Sequence, residues 1–237
     1  LKTKLSCAAG AVAAMCATVN VHAQSSVTLY GVIDNTVEAV RTTGSNKVGG
    51  NVPMAVKDSS NSSLWGLRGK EELGNGLSAI FQIEYGFNAD TGSGPSGRDQ
   101  FVGLRSDTLG TVQMGLMTTP MRGLGGKLNF IPGSTSIANN IGIMTTLNGV
   151  QTNLNARLAN TIQYTTPDML GGLSAQVVYS PGEGSVGPTN SSVGGTAGQP
   201  INGMYAWGAG TQFARGPIYA AYAYETRRGQ ALLGAGA

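Results

Sequence analysis

Apolar and polar residues alternate along most of the chain after residue 24, in blocks of about ten residues. The clearest block covers residues 77–88, where Leu77 and Phe81 share one parity while Ser78 and Gln82 share the other. Such alternation is typical of a β-strand that has one apolar and one polar face. The pattern predicts nine strands, at residues 27–40, 63–70, 77–88, 101–105, 111–117, 158–165, 173–179, 204–213 and 218–226.

The connections between these strands alternate in length. Short turns near residues 74, 108, 169 and 215 alternate with long polar segments at 42–62, 88–100, 118–156 and 180–203. Short turns at one rim and long loops at the other are typical of an outer-membrane β-barrel. A soluble β-sandwich with nine alternating strands is the alternative fold.

The composition favours the barrel over the sandwich. Only 11% of the residues are charged, against roughly 25% in an ordinary soluble domain. A sandwich would need more Lys, Glu and Arg on its exposed faces. The mean hydropathy is −0.02, and no segment reaches the roughly 18 consecutive apolar residues of a transmembrane helix. This combination suits strands with one face in lipid and the other in water.

The N-terminus has the pattern of a secretory signal peptide. Lys2 and Lys4 precede an Ala-rich apolar stretch at 5–19, and Val21 and Ala23 are small residues at the positions that a signal peptidase reads. We expect residues 1–23 to be the signal peptide, cleaved after Ala23, and residues 24–237 to be the barrel. A buried N-terminal helix is the alternative.

Removal of this segment restricts the chemistry of the mature chain. Cys7, Cys16 and His22 are the only cysteines and the only histidine, and all three precede the cleavage site. The mature chain is therefore predicted to be no enzyme of the Cys-nucleophile or Ser-His-Asp type and to hold no metal or other cofactor. Without Lys2 and Lys4, 13 basic residues face 12 acidic ones. A net charge of +1 gives no reason to expect a nucleic-acid partner.

Several ordered motifs resemble those of one protein family. They are Ser26–Asp34, Trp65–Gly74, Leu77–Glu84, Phe101–Leu104, Leu109–Val112 and Asn160–Tyr164. In these motifs and their order the chain resembles the general porins of Gram-negative bacteria, most closely the trimeric porins of beta-proteobacteria.

The resemblance implies a transmembrane antiparallel β-barrel of 16 strands, located in the bacterial outer membrane. It also implies a homotrimer in contact with outer-membrane lipid and lipopolysaccharide, and passive diffusion of ions and small hydrophilic solutes. Family members continue for many more strands and end in an aromatic residue, so the chain is expected to be the N-terminal part of such a barrel. The segment 118–156 has the length and position of the constriction loop that such barrels fold into the pore.

Five basic residues are candidates for the pore constriction. Arg98 and Arg157 match two positions of the arginine ladder that faces the loop in the family, whereas a third ladder position is occupied by Leu64. Arg122 and Lys127 lie in a segment without any carboxylate, and Arg68 or Arg41 could partly replace the missing arginine. We therefore expect a mild anion preference. The alternatives are a substrate-specific channel and a structural or adhesive barrel without a pore.

The aromatic residues are expected to form girdles at the two membrane interfaces rather than a sugar-binding track inside the pore, because most share the parity of the apolar face. The residues concerned are Tyr30, Trp65, Phe81, Tyr85, Phe87, Tyr179, Trp207, Phe213, Tyr222 and Tyr224.

Overall fold

The computed structural model describes residues 26–42, 52–128, 146–147, 150–151, 157–181 and 205–228. The predicted signal peptide 1–23 and most of the predicted constriction loop 118–156 lie outside these residues. The elements are β1 (Ser26–Val32), β2 (Asn35–Thr42), β3 (Val52–Ser60), β4 (Leu64–Gly74), β5 (Leu77–Gly86), β6 (Ser96–Ser106), β7 (Gly110–Thr118), α1 (Pro120–Gly126), β8 (Thr146–Leu147), β9 (Val150–Gln151), β10 (Arg157–Thr165), β11 (Leu173–Pro181), β12 (Tyr205–Arg215) and β13 (Ile218–Arg228).

Nine of the strands form one antiparallel sheet in the order β1-β4-β5-β6-β7-β10-β11-β12-β13. The nine predicted strands correspond to these nine, and the predicted all-β class is confirmed. No helix among the described residues is long and apolar enough to cross a membrane.

The first predicted strand, 27–40, is wrong in its extent. It divides into β1 and β2, and β2 pairs with β3 in a separate hairpin. Strand β3 lies inside the segment 42–62 that was predicted to be a loop. The chain turns at Asp34, whose backbone N–H donates to Ser63 Oγ at 3.0 Å and whose carbonyl accepts from Asn61 N at 2.8 Å. These contacts replace the strand pairing that β1 would need to continue.

The two faces of the sheet have opposite polarity, and the apolar face is the exposed one. Leu29 and Val102 are 71% and 57% exposed, whereas Ser78 and Gln163 on the opposite face are 1% and 6% exposed. A soluble protein has the reverse distribution. We call the polar side the inner face and the apolar side the outer face. This distribution agrees with strands that face lipid on one side and a polar interior on the other.

Most of the aromatic side chains lie on the outer face, near the ends of the strands. Trp65 and Tyr85 pack against each other with ring centroids 5.6 Å apart, and Trp207 and Tyr224 do so at 5.2 Å. These pairs agree with the predicted girdle. Of the ten residues predicted for the girdle, Tyr30 lies on the inner face, as its register partner Gly66 and its hydrogen bond to Glu84 show.

Short turns join the strands at one rim of the sheet. At the β4–β5 turn, Asn75 and Gly76 have φ angles of 52° and 72°. Two consecutive residues with positive φ are characteristic of the tight hairpin turns that match the twist of antiparallel strands. The connections that leave the opposite rim are longer, as predicted, and one of them contains helix α1.

Helix α1 follows β7 directly and packs on the inner face against β11, β12 and β13. Thr119 caps the helix by accepting a hydrogen bond from Arg122 N at 3.4 Å, and Pro120 occupies the first turn, where no backbone donor is needed. Gly210 allows the close approach. A Cβ atom there would lie 2.8 Å from Pro120 Cβ and 2.9 Å from Leu124 Cδ1.

A positive charge should destabilise the protein more on the outer face than on the inner face. Val102→Arg places a guanidinium toward lipid, and we expect it to destabilise the full-length protein by about 2–4 kcal/mol in denaturant unfolding from lipid bilayers. Gln82→Arg is the matched control, because Gln82 pairs with Phe101 on the inner face of the adjacent strand. Equal losses in the two variants would contradict the assignment of the faces.

The helix contact predicts a second effect. Gly210→Val inserts a side chain where α1 touches β12, so we expect α1 to move, at a cost of about 1–3 kcal/mol from overpacking. The movement should change the single-channel conductance and expose the segment after β7 to limited proteolysis. Ala209→Val, on the outer face of the same strand, is the control. Unchanged conductance and proteolysis in Gly210→Val would contradict this packing.

Candidate functional site

The charged residues of the inner face gather where β7 passes into α1. Three of the five candidate basic residues, Arg98, Arg122 and Arg157, lie close enough to influence one another electrostatically. Strands β6 and β10 position Arg98 and Arg157, and helix α1 positions Arg122. We call these three residues the arginine cluster.

A β-bulge in β6 sets the direction of two side chains of this site. The register passes from Ile83 opposite Gln100 to Tyr85 opposite Gly97, so the single residue Glu84 faces both Arg98 and Asp99. A bulge lets consecutive residues escape strict alternation. Arg98 and Asp99 can therefore both take part in the inner-face cluster, although they are neighbours in the sequence.

Arg98 forms an ion pair with Glu84, through Nε and Oε1. The Tyr30 hydroxyl donates to the other carboxylate oxygen of Glu84, Oε2, at 2.8 Å. The Arg68 guanidinium lies over the Tyr30 ring, 5.1 Å from its centroid, at cation–π distance. Arg68 is thus connected to the cluster through Tyr30 and Glu84.

Arg157 opens β10, as predicted, and pairs with Asp99 at 2.6 Å between Nε and Oδ1. The Thr118 hydroxyl donates to the same oxygen at 2.7 Å. Both side chains are mostly covered, with 16% of Arg157 and 28% of Asp99 exposed. Asp99 thus connects Thr118, the last residue of β7, to Arg157, the first residue of β10. These two residues flank the long segment between β7 and β10.

Arg122 lies in α1, outside the membrane-spanning strands. Burial of the guanidinium, together with the nearby charges of Arg157 and Arg98, lowers the pKa of Arg122 to about 10, while Asp99 acts in the opposite direction. A pKa of about 10 is still far above neutral pH. Arg122 therefore carries its positive charge under physiological conditions.

Lys127 lies apart from the cluster. Its ammonium group donates to Gln212 Oε1 at 2.7 Å and lies 5.8 Å from the centroid of the Tyr219 ring. It therefore belongs to the part of the inner face formed by β12 and β13. The structure brings together four of the five predicted basic residues, directly or through Tyr30, and separates Lys127 from them.

Sequence reasoning missed the carboxylates that face the arginines. The segment between Asp107 and Asp168 has no acidic residue, but Glu84 and Asp99 reach the site from the barrel wall. Both could have been suspected, because Glu84 has the polar parity of its strand and Asp99 directly follows Arg98. Their pairing with the arginines depends on the β-bulge in β6, and no sequence pattern predicts that bulge.

A third ion pair of the inner face lies beneath α1. Arg227 and Glu225 on β13 approach to 2.5 Å between Nη2 and Oε1, with only 4% and 0% of their side chains exposed. The Thr119 hydroxyl lies within hydrogen-bonding reach of the Glu225 carboxylate. The opposite charges of Arg227 and Glu225 neutralise each other, and the pair supports the start of helix α1. The described residues contain no group of three or more His, Cys, Asp or Glu side chains that could hold a metal ion.

The basic residues outnumber the acidic ones at the site. Arg68, Arg98, Arg122 and Arg157 carry four positive charges, against two negative charges on Glu84 and Asp99. The excess of two positive charges faces the inner side of the sheet, next to the loop helix.

Comparison with known proteins agrees with the fold. A sequence model of the Gram-negative porins matches residues 8–237. An outer membrane porin protein of Bordetella pertussis is 34% identical over 172 residues, which are 63% of this chain and 41% of that protein. The major outer membrane protein P.IB of Neisseria gonorrhoeae is 30% identical over 168 residues, covering 70% of this chain and 46% of that protein.

Among solved structures, an anion-selective porin from Comamonas acidovorans superimposes with a TM-score of 0.61 at 23% identity. The match covers 86% of this chain and 58% of that one, and it shows a shared porin fold. The chain spans less than half the length of the two curated relatives. The sequence match, the shared fold and the inverted polarity of the sheet agree, and the chain belongs to the Gram-negative porin family of the outer membrane.

Proposed function

We propose that the full-length protein is a general diffusion porin that lets ions and small hydrophilic solutes cross the outer membrane passively, with a mild preference for anions. The observation that carries the proposal is the polar inner face with its excess of two positive charges beside α1. Transport of this kind needs no covalent chemistry and no cofactor. Selectivity in such a pore comes from its width and from the charges at its narrowest part.

The preference is mild because the arginines are partly neutralised. Arg98 and Arg157 each have a carboxylate within ion-pair distance, so each pair acts on a passing ion mainly as a dipole. Four arginines against two carboxylates still leave a net positive potential at the site, and Lys127 adds to it from the side of β12. A charged cleft of one sign concentrates ions of the opposite sign.

The proposal includes assembly into a homotrimer, which rests on family membership alone. The apolar outer face supports contact with outer-membrane lipid and lipopolysaccharide. It offers exposed side chains such as Leu29, Val102 and Val177 along several strands. No feature of the described residues points to a nucleic-acid partner.

The decisive measurement is the reversal potential of the full-length protein in a planar bilayer under a KCl gradient. We expect ohmic channels with a reversal potential of the sign for anion preference, because the inner-face charge is positive. Saturable block by one solute class would favour a substrate-specific channel. An inert protein would favour a structural or adhesive barrel, and a cation preference would overturn the charge argument.

Removing the charge of the loop helix should weaken the preference. A unit charge at about 8 Å from an ion in water changes its energy by about 0.5 kcal/mol, which corresponds to about a twofold change in local anion concentration. The local cation concentration changes by a similar factor in the opposite direction, so Arg122→Gln should lower the anion-to-cation permeability ratio about fourfold, and Arg122→Lys should leave it nearly unchanged. Arg41→Gln is the control, because the exposed Arg41 lies in β2, outside the nine-stranded sheet.

Removing a carboxylate should have the opposite effect. Glu84→Gln leaves the Arg98 charge unpaired, so we expect the anion-to-cation permeability ratio to rise about fourfold. Glu38→Gln is the matched control, since Glu38 pairs with Lys57 at 3.4 Å in the β2–β3 hairpin. An equal effect of the two substitutions would show that Glu84 does not face the ion path.

A further inference from the structure

The side chain of Tyr30 crosses one strand of the sheet on the inner face. Tyr30 on β1 pairs with Gly66 on β4, and Gly66 pairs with Glu84 on β5, so the three residues form one row across the sheet. A Cβ atom at Gly66 would lie 2.8 Å from Tyr30 Cζ and 2.8 Å from its hydroxyl oxygen. The missing side chain at Gly66 therefore lets the tyrosine ring pass over β4 and reach Glu84.

The hydroxyl end of Tyr30 holds one oxygen of the Glu84 carboxylate. It donates to Oε2 at 2.8 Å, while Arg98 Nε pairs with Oε1. Each carboxylate oxygen thus has its own partner. Hydrogen bonds to an ionised acceptor are stronger than those between neutral groups, so Tyr30 helps to fix the direction of the carboxylate that pairs with Arg98.

The face of the same ring holds Arg68. The Arg68 guanidinium carbon lies 5.1 Å from the ring centroid, and Arg68 follows Gly66 by two residues on β4, which places both on the inner face. Within the described part of the chain, no carboxylate forms an ion pair with Arg68. Among these residues, the contact that restrains its charge is the Tyr30 ring.

This restraint matters because Arg68 is exposed and its side chain is long. A free arginine side chain samples many rotamers, so its charge is spread over a wide volume of water. A cation–π contact at an exposed site favours the stacked position by roughly two- to fivefold. The contact therefore keeps the charge near the row of Tyr30, Gly66 and Glu84 for most of the time.

The position of the charge decides its effect on a passing ion. A unit charge at about 8 Å changes the local anion concentration about twofold, whereas one at about 16 Å changes it only about 1.5-fold, before screening by salt reduces it further. We propose that the uncharged residue Tyr30 determines selectivity as a positioning residue, because it holds the charge of Arg68 beside the ion pair of Glu84 and Arg98. This inference rests on the proposed pore function and names what fixes one of its charges.

The test measures the effect of Arg68→Gln on the anion-to-cation permeability ratio of the full-length protein in three backgrounds. With Tyr30 present, we expect the ratio to fall about fourfold, as for removal of any charge at this distance. Tyr30→Phe keeps the ring face, so the fall should again be about fourfold. In Tyr30→Leu, the charge is no longer held, so the ratio should already be about twofold lower, and Arg68→Gln should lower it only about twofold more.

Tyr222→Leu is the matched control, because Tyr222 is 68% exposed on the outer face. It should leave the permeability ratio and the fourfold effect of Arg68→Gln unchanged. Tyr30→Gln is a second variant without a ring, and its polar side chain suits the inner face if Tyr30→Leu does not assemble. It should halve the effect of Arg68→Gln in the same way.

A purely structural role of Tyr30 predicts lower stability in the variants without a ring, with the Arg68→Gln effect still fourfold. That result would overturn the proposal. Equal loss of the effect in Tyr30→Phe and Tyr30→Leu would also overturn it, because the hydroxyl rather than the ring face would then be responsible. Failure of the proposed function looks different: the natural protein would form no channels, or its reversal potential would show cation preference before any substitution.

Discussion

Hydrogen-bond pairing of nine strands within one continuous sheet is the constraint on which the rest of the structure depends. In a bilayer, a backbone N–H or C=O has no water to bond with, so each strand must find partners on both sides. The order β1-β4-β5-β6-β7-β10-β11-β12-β13 provides partners on both sides for the seven strands that lie between the edge strands β1 and β13. Only then can side chains as apolar as Leu29 and Val102 remain exposed on one face while Ser78 and Gln163 are buried on the other. The arginine cluster and helix α1 both lie on the inner face that this pairing creates.

Local departures from regular pairing place the functional groups. The bulge at Glu84 directs Arg98 and Asp99 into one cluster, and a second irregularity between Leu158 and Thr161 accompanies Asn160, whose φ is 54°. Both lie near the rim from which the long segment leaves, where strands have fewer neighbours to constrain them. Bulges are frequent next to functional sites because they redirect side chains without breaking the sheet.

The sequence predicted the strands and their faces well, because a period of two is a local property that each strand carries by itself. It failed at residues 33–60, where the alternation continues through Asp34 although the chain turns and β2 pairs with β3 instead. It also predicted the basic residues of the site but neither carboxylate partner, because pairing is decided by register between strands.

Helix α1 divides the inner face into two chemically different parts. It covers β11, β12 and β13, where Gly210 admits it and the buried pair of Glu225 and Arg227 lies beneath its start. The arginine cluster and the side chains connected to it come from β1, β4, β5, β6 and β10, and Arg122 comes from the helix itself. They form the other, charged part of the inner face. In the proposed pore, ions would therefore respond mainly to the potential of this charged part.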